Sequence, residues 1–467
     1  MRNPLELIAA LSLLLGSAPL RAQQTELPDA PQLQAQVQSP APSPPATNPT
    51  APPLTGPPLT RRQAEQLALK NNPHITVAGL LALAQRQVVR ETRSAEFPTL
   101  NGALTGVGAE EASRLSAGSL SASRLLNHVG AGVELNQLIT DFGRTRNLVA
   151  SSSLQARAFD QQTQATREDI ALATDLAFYR ALEAQATLQV AQSTVNARKA
   201  VSDQVGALTA SKLKSTLDQS FAQVNLSQAQ LLNLDAQSQF DTAIASLNEV
   251  LGTTGDTAYH LIDDPAPPAP VAPSAEAVIT LALQQRPDLL ALKLSHDADL
   301  RFARARHDQL LPTISGLGVV GGAPWAPNPA PTAYFPENWY GAAGVNVAIP
   351  IFNGFRYHSE ATEADLRARA SDEQSRALID QIVRDVRTAW LTMNTAQQRM
   401  TVTAQLLQEA NTALDLAGTR YRLGLSSIVE LSQAQLQQTQ AQIDDANARF
   451  EYEADLATLR FQSGSQP

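Results

Sequence analysis

Apolar and polar positions along this chain follow two periods, and each period occurs twice. From Pro98 to Gly108 and from Val129 to Ile139 the residues alternate, with Leu100, Gly102, Leu104 and Gly106 on one side of the first run and Val129, Ala131, Val133 and Leu135 on one side of the second. That period of two predicts strands. Thr313 to Val320 and Tyr340 to Ile349 repeat it. Ten or so residues per strand span about 33 Å, enough to cross a tilted bilayer path or nearly so. The segments between them, Ala109 to His128 and Gly321 to Trp339, are polar or proline-rich and read as exposed loops. Trp339 and Tyr340 at a strand start suit an aromatic membrane-interface girdle. Alternation alone leaves two readings open: membrane strands, or soluble hairpins packed on helices.

The second period is helical. Thr60 and Ser274 are hydroxyl caps, and Thr60 with Gln63 forms a capping-box pattern. A helix is predicted from there to about Arg93, with a counterpart to about Gln309, both stopping short of Pro98 and Pro312. No proline interrupts the helical pattern from Thr145 to Val205 or from Tyr357 to Arg420. A helix of that length runs about 90 Å. A return helix follows each, with apolar residues seven apart at Leu217, Val224 and Leu231, and at Val429, Leu436, Ile443, Phe450 and Ala457. Such a heptad predicts side-by-side helices in a left-handed supercoil. Flanking Ala, Ser and Gln permit close approach.

The doubling is a sequence duplication. Leu67-Ala68-Leu69 and Asn72-Pro73 return as Leu281-Ala282-Leu283 and Arg286-Pro287 at an offset of 214, as does Pro98 at Pro312. From Phe178 and Trp390 onward the offset is 212, and it holds without a gap to Gly252 and Gly464. Repeats at 60–254 and 274–464 point to an architecture made by repetition rather than one catalytic pocket. Four strands cannot close a barrel, since about eight is the practical minimum, and open sheet edges are not tolerated in lipid. If the strands enter a membrane, the chain must oligomerise.

Composition narrows the class further. The 467 residues are 43% hydrophobic and 17% charged, which suits a globular chain with a sizeable core. The net charge of -9 and the lack of a Lys/Arg block argue against a nucleic-acid partner. With no cysteine, disulfides, thiolate metal sites and acylated cysteine anchors are excluded. Residues 1–22 read as a signal peptide, with Arg2 before the apolar stretch Leu5 to Leu15. Residues 23–59 read as a Pro-rich disordered extension and 255–273 as a Pro-rich linker between the repeats. An enzyme is not indicated. Asp141-Phe142-Gly143 imitates a kinase magnesium motif, yet no glycine-rich nucleotide loop accompanies it. The six histidines are scattered, and no metal or cofactor site is expected.

Taken together, the duplicated helix–hairpin–helix unit resembles the TolC-like outer-membrane efflux ducts. The pieces that carry the likeness are Asn72-Pro73 and Arg286-Pro287, the strand exits Leu138 to Gly143 and Ile349 to Gly354, and the turn Tyr421 to Glu430, in order over Thr60 to Gly464. The resemblance implies a mainly α fold with a membrane β-barrel part, trimerising into a twelve-stranded barrel in outer-membrane lipid and a periplasmic helical barrel. It further implies a periplasmic adaptor (membrane fusion) protein and an inner-membrane pump as partners, in a tripartite efflux or type I secretion system that exports drugs, metals, small molecules or proteins. By the same likeness Asp218, Tyr421 and Glu430 form a periplasmic gate. Three symmetry-related Glu430 carboxylates would repel one another and favour cations; the plainer alternative makes Asp218 and Glu430 solvated helix-start acids. The adaptor-contact tips are Lys212, Leu213 and Lys214, and Gly424, Leu425, Ser426 and Ser427.

The chain departs from the family pattern in three places. Lys212-Leu213-Lys214 loses the glycine suited to a left-handed turn, Ser426 replaces an arginine some relatives use in gate linkage, and the lipobox cysteine is absent, leaving barrel insertion as the expected anchor. The competing class is an exported coiled-coil scaffold or adaptor without a channel.

Overall fold

In the computed structural model, residues 56–107, 114–115, 123–124, 128–253, 255, 257, 259–263, 274–325 and 339–464 are described. The expected signal segment, most of the Pro-rich extension and the linker from residue 264 to 273 lie outside them. In chain order the elements are β1 (Pro58–Leu59), α1 (Arg61–Asn71), α2 (Pro73–Ser94), β2 (Thr99–Val107), β3 (Arg114–Leu115), β4 (Ser123–Arg124), β5 (His128–Thr140), α3 (Arg144–Ala210) and α4 (Thr216–Val250). There follow β6 (His260–Leu261), α5 (Ala275–Gln285), α6 (Pro287–Asp308), β7 (Thr313–Trp325), β8 (Trp339–Ala348), α7 (Arg356–Arg422) and α8 (Ile428–Gln462).

Each helix of the first repeat has a twin of equal length in the second: 11 residues for α1 and α5, 22 for α2 and α6, 67 for α3 and α7, and 35 for α4 and α8. The single opening helix expected in each repeat is in fact two. Proline disfavours helical backbone in the residue before it, and Asn72 and Arg286 are extended, with ψ of 122°. The Asn72 side chain caps α2 by accepting from His74 N at 3.0 Å and donates to the Val250 carbonyl at 2.9 Å. Each break also seats a glycine. Gly252 and Gly464 have φ near +70°, and a Cβ there would meet Asn71 O at 2.8 Å and Arg286 N at 3.0 Å.

The helices lie in two rows that share α3 and α7. Near the strands the order is α2, α3, α6, α7; toward the far turns it is α4, α3, α8, α7. Phe178, Leu182 and Leu188 of α3 meet Leu247 and Leu251 at the junction in repeat one, and Ile382, Val386 and Met393 of α7 meet Val278 and Leu289 in repeat two. Burying side chains of this size yields about 1.5–3 kcal/mol each. Two residues read as extension and linker ends join the first cluster: Leu59 and Leu261 are buried where β1 pairs in parallel with β6.

The heptad divides differently from expectation. Over most of its length the buried seam is the alanine series Ala222, Ala229 and Ala236, with Ala434, Ala441 and Ala448, while Leu217, Val224, Leu231, Val429 and Leu436 are exposed; toward the end of α8 the expected series holds, with Ile443 half-buried and Phe450 and Ala457 buried. Small side chains bring the helix backbones close and turn the larger ones outward.

Four strands form one antiparallel sheet in the order β2-β5-β7-β8. β7 runs on to Trp325, into the expected loop, because Gly321 and Gly322 stay in register with Tyr340 and Trp339. The short β3–β4 pair lies within the other expected loop.

Candidate functional site

Two regions carry the sequence-predicted residues: the sheet and the far helix turns. In the sheet, pairing of Leu100 with Leu135, of Val133 with Gly102 and Val320, and of Gly322 with Trp339 puts these residues on one face, joined by Leu104, Val345 and Val347. That face is apolar and unprotected: Leu104 is 80% exposed and Trp339 72%. Asn101, Thr105, Glu134, Asn136, Ser315 and Asn346 occupy the opposite face, with Leu138, Leu317 and Val319 as its large apolar exceptions. Polar-in, apolar-out alternation is the reverse of a soluble sheet packed on a core and matches a barrel wall facing lipid. Tyr340 pairs with Gly321 one residue along from Trp339. β2 and β8 are the two sheet edges, each with a side that has no strand partner among the described residues. No described helix is long and apolar enough to cross a membrane.

At the strand exits, Phe142 and Phe355 adopt positive φ beside Gly143 and Gly354. Asp141 accepts hydrogen bonds from Thr145 N at 2.7 Å and from the Thr145 hydroxyl. The kinase-like triplet is therefore the cap of α3. No group of metal-ligating side chains occurs among the described residues.

The two far turns have the same backbone. Leu425 N donates to Arg420 O at 2.8 Å around Gly424, whose φ is +74°. Leu213 N donates to Leu208 O at 2.8 Å around Lys212, whose φ is +58°. Losing the glycine thus does not change the turn; Lys212 takes the left-handed conformation at a steric cost. Leu213 and Leu425 stand exposed at equivalent places, and Ser427 caps α8 by accepting from Glu430 N at 3.4 Å.

The three residues expected at a gate divide into a pair and a single residue. Asp218 and Tyr421 come together: Tyr421 is 6% exposed, packed on Val205, Ala222, Ile428 and Leu431. Burial first, then the Asp218 carboxylate, pushes the phenol pKa up. The Tyr421 hydroxyl has no hydrogen-bond partner, and Lys214 Nζ lies 4.4 Å from the ring centroid. Asp218 also completes a capping box, accepting from Ser215 N at 3.3 Å while Ser215 Oγ accepts from Asp218 N at 3.1 Å. Glu430 lies apart from this pair in its contacts, 3.3 Å from Arg420 Nε. Ser426 Oγ is unpartnered.

Two buried polar features escaped the sequence reading. Arg198 of α3 is 7% exposed with Nη1 unpartnered, and desolvation lowers its pKa to about 10. At an offset of 212 its counterpart is Ala410, a mismatch visible in the repeat alignment. Asp175 of α3 meets Arg61 at 3.1 Å, and Arg61 also pairs with Glu65. Burial first, then Glu65, raises the Asp175 carboxyl to about 7 against the pull of Arg61.

Comparison with known proteins places these features. The family model described as outer membrane efflux protein matches residues 65–253 and 278–465, the two repeats. The outer membrane protein TolC of Salmonella enteritidis is 23% identical over 417 residues, covering 86% of this chain and 81% of that protein. The outer membrane protein OprJ of Pseudomonas aeruginosa is 24% identical over 381 residues, covering 80% and 77%. Among solved structures, CusC superposes with a TM-score of 0.75 at 18% identity over 87% of this chain and 92% of that one. VceC of Vibrio cholerae superposes with a TM-score of 0.74 at 18% identity over 86% and 96%.

Proposed function

We propose, from the premise that this chain belongs to the outer membrane efflux protein family, that it acts as a homotrimer, twelve strands closing one barrel above a helical tube. The protein is an outer-membrane efflux channel; its trimeric state, the adaptor and pump it serves, and the residues that gate it are the finer parts of this reading. The observation that carries it is the inverted sheet: an apolar outer face, a polar opposite face and two open edges in one chain. Lipid offers no hydrogen bonds to an open edge, so each β2 is completed by a β8 of a neighbouring copy. A coiled-coil scaffold without a channel has no use for such a face.

At the far turns, Asp218 with Tyr421 and Glu430 with Arg420 hold the helix ends closed, and the exposed Leu213 and Leu425 meet a periplasmic adaptor. Each copy adds one Glu430 to a ring whose charge favours cations. The pump attached to the adaptor supplies the choice of cargo. Replacing Asp218 and Glu430 together with Ala raises single-channel conductance in planar bilayers and weakens cation preference. Unchanged conductance and selectivity would remove both residues from the gate. Resistance to carbonate extraction and a heat-modifiable trimer band test the assembly itself; a carbonate-soluble monomer would defeat it.

A further inference from the structure

The apolar face of the sheet is not smooth. In the row that crosses all four strands through Leu104, Ala131, Gly322 and Trp339, two large side chains on the edge strands flank two small residues in the middle. The next row toward the helices reverses this, with Val133 and Val320 paired in the middle and Gly102 and Gly341 on the edge strands. At about 4.8 Å per strand, the backbones that carry Leu104 and Trp339 stand about 14 Å apart. A hollow of about 690 Å³ lies over Ala131 and Gly322, bounded by Leu104, Trp339, Val133 and Val320. None of Asn101, Thr105, Glu134 and Val319 on the opposite face lines it, so it opens on the apolar side. Its volume falls within the roughly 300–1,000 Å³ of small-molecule sites.

Trp339 begins β8, and the chain leaves the other end of that strand for α7, so the hollow lies in the half of the sheet farther from the periplasmic helices. That half belongs to the outer leaflet. Water does not fill a hollow there, because a buried water needs several polar partners and, apart from the Trp339 indole nitrogen, the bounding side chains are hydrocarbon. Left empty, its walls would forfeit their contacts outright. Lipid tails are as apolar as leucine, so burial alone gives no chain a preference for this place. Shape does: a chain seated here meets wall on its sides as well as floor, and dispersion contacts add up with each. Trp339 adds direction, since an indole at a membrane interface keeps its ring in hydrocarbon and its N–H toward the headgroups.

Resting on the reading that this face meets lipid, we infer that the hollow is a binding site for one acyl chain of the outer leaflet's phosphorylated glycolipid, with the Trp339 indole N–H donating to an ester or phosphate oxygen at the head of that lipid. A phospholipid presents the same kind of chain; the place of the hollow in the outer half assigns it to the glycolipid. The site is a fixed feature of the barrel wall and needs no change of the helices.

The channel is purified from outer membranes in detergent and washed by repeated exchange into fresh detergent. Lipid that stays with it is measured by native mass spectrometry and assayed chemically for 3-hydroxyacyl chains, which mark the glycolipid, and for glycerophosphate, which marks phospholipid. Gly102→Leu/Ala131→Leu fills the hollow with hydrocarbon, and a Cβ at Gly102 meets nothing within 4 Å. Ala343→Leu adds the same side chain on the same face outside the hollow. The native channel and Ala343→Leu are expected to keep one glycolipid per chain through the washes, and the filled variant to lose it. Trp339→Phe, which keeps a ring at the wall and removes the donor, releases the lipid in fewer exchanges than the native channel. Should the double variant fail to assemble, Ala131→Leu alone carries the same comparison. No glycolipid on the native channel, or equal retention in native and filled channels, would overturn the site, and phospholipid kept in its place would overturn the assignment to the glycolipid. A co-purifying protein lost from the filled variant alone would make the hollow a protein contact instead. These outcomes are read on preparations that give the heat-modifiable trimer band; if the native chain gives none, the homotrimer reading fails and this site with it.

Discussion

The two repeats are nearly the same object in backbone and different objects in chemistry. Helix lengths, the break before proline, the glycine seated against that break and the left-handed far turns all recur. The side chains at equivalent places do not. Repeat one buries Asp175 between Arg61 and Glu65, while repeat two has exposed Arg387 there. Repeat one fills its junction with Phe178 at 1% exposure, whereas Trp390 is half-buried and its indole nitrogen is unpartnered. The lesson is that duplication conserves what the backbone requires, while each helix face is free to change with its neighbour. α8 packs broadly on both α7 and α3, whereas α4 packs broadly on α3 alone and meets α8 more lightly, as where Asn225 Nδ2 donates to Ser432 Oγ at 2.7 Å.

Substitutions at twin positions break or sharpen this contrast. The largest effect is expected from Phe178→Ala, about 3–5 kcal/mol of stability by denaturant unfolding in detergent, with Trp390→Ala costing less because its site is less enclosed. A larger loss at Trp390 would reverse the assignment of the tighter junction. Gly252→Ala follows, at about 3 kcal/mol, since it adds a clash with Asn71 O to the strain of a left-handed alanine. Gly464→Ala costs slightly less against Arg286 N. Equal tolerance of alanine at both would refute the shared geometry.

The pH response separates the repeats. A carboxyl whose folded pKa is about 7 binds its proton more tightly than in the unfolded chain, where the value is about 3.9. Its stabilising contribution is complete below the unfolded value and is lost as pH rises through the folded one. Asp175→Asn should therefore flatten the decline in melting temperature from pH 4 to 7, an effect on the order of 2 kcal/mol. Hydrogen exchange should place that response in α1 and not in α5; an unaltered slope would show that Asp175 is not its source. The smallest effect belongs to the turns: Gly424→Ala loses about 1 kcal/mol and Lys212→Gly gains up to about that amount, because both positions are left-handed. Thermal melting with opposite signs at the two turns checks this.

Much of this was legible in the sequence because it rests on periodicity. The long helices, the four long strands and the Thr60 capping box all follow from local patterns that the fold obeys. Other features turn on contacts between distant segments. The break at Asn72 was announced by Pro73 but was masked by the continuous apolar pattern across it. Leu59 and Leu261 gave no sign of pairing, since two residues set no period. The heptad identified helices that pack together but not which stripe is buried, because alanine and leucine compete for the seam and close approach favours alanine. Of the residues expected at a gate, the pairing of Asp218 with Tyr421 depends on the two repeats meeting through apolar contacts among Val205, Ala222 and Ile428, which no single segment specifies.

Closure of the sheet by neighbouring copies is the claim on which the channel depends, and amide hydrogen exchange of the detergent-purified assembly tests it strand by strand. The account predicts that the edge strands β2 and β8 are as protected as the central β5 and β7. Rapid exchange confined to the outward amides of β2 and β8 would show open edges and contradict it.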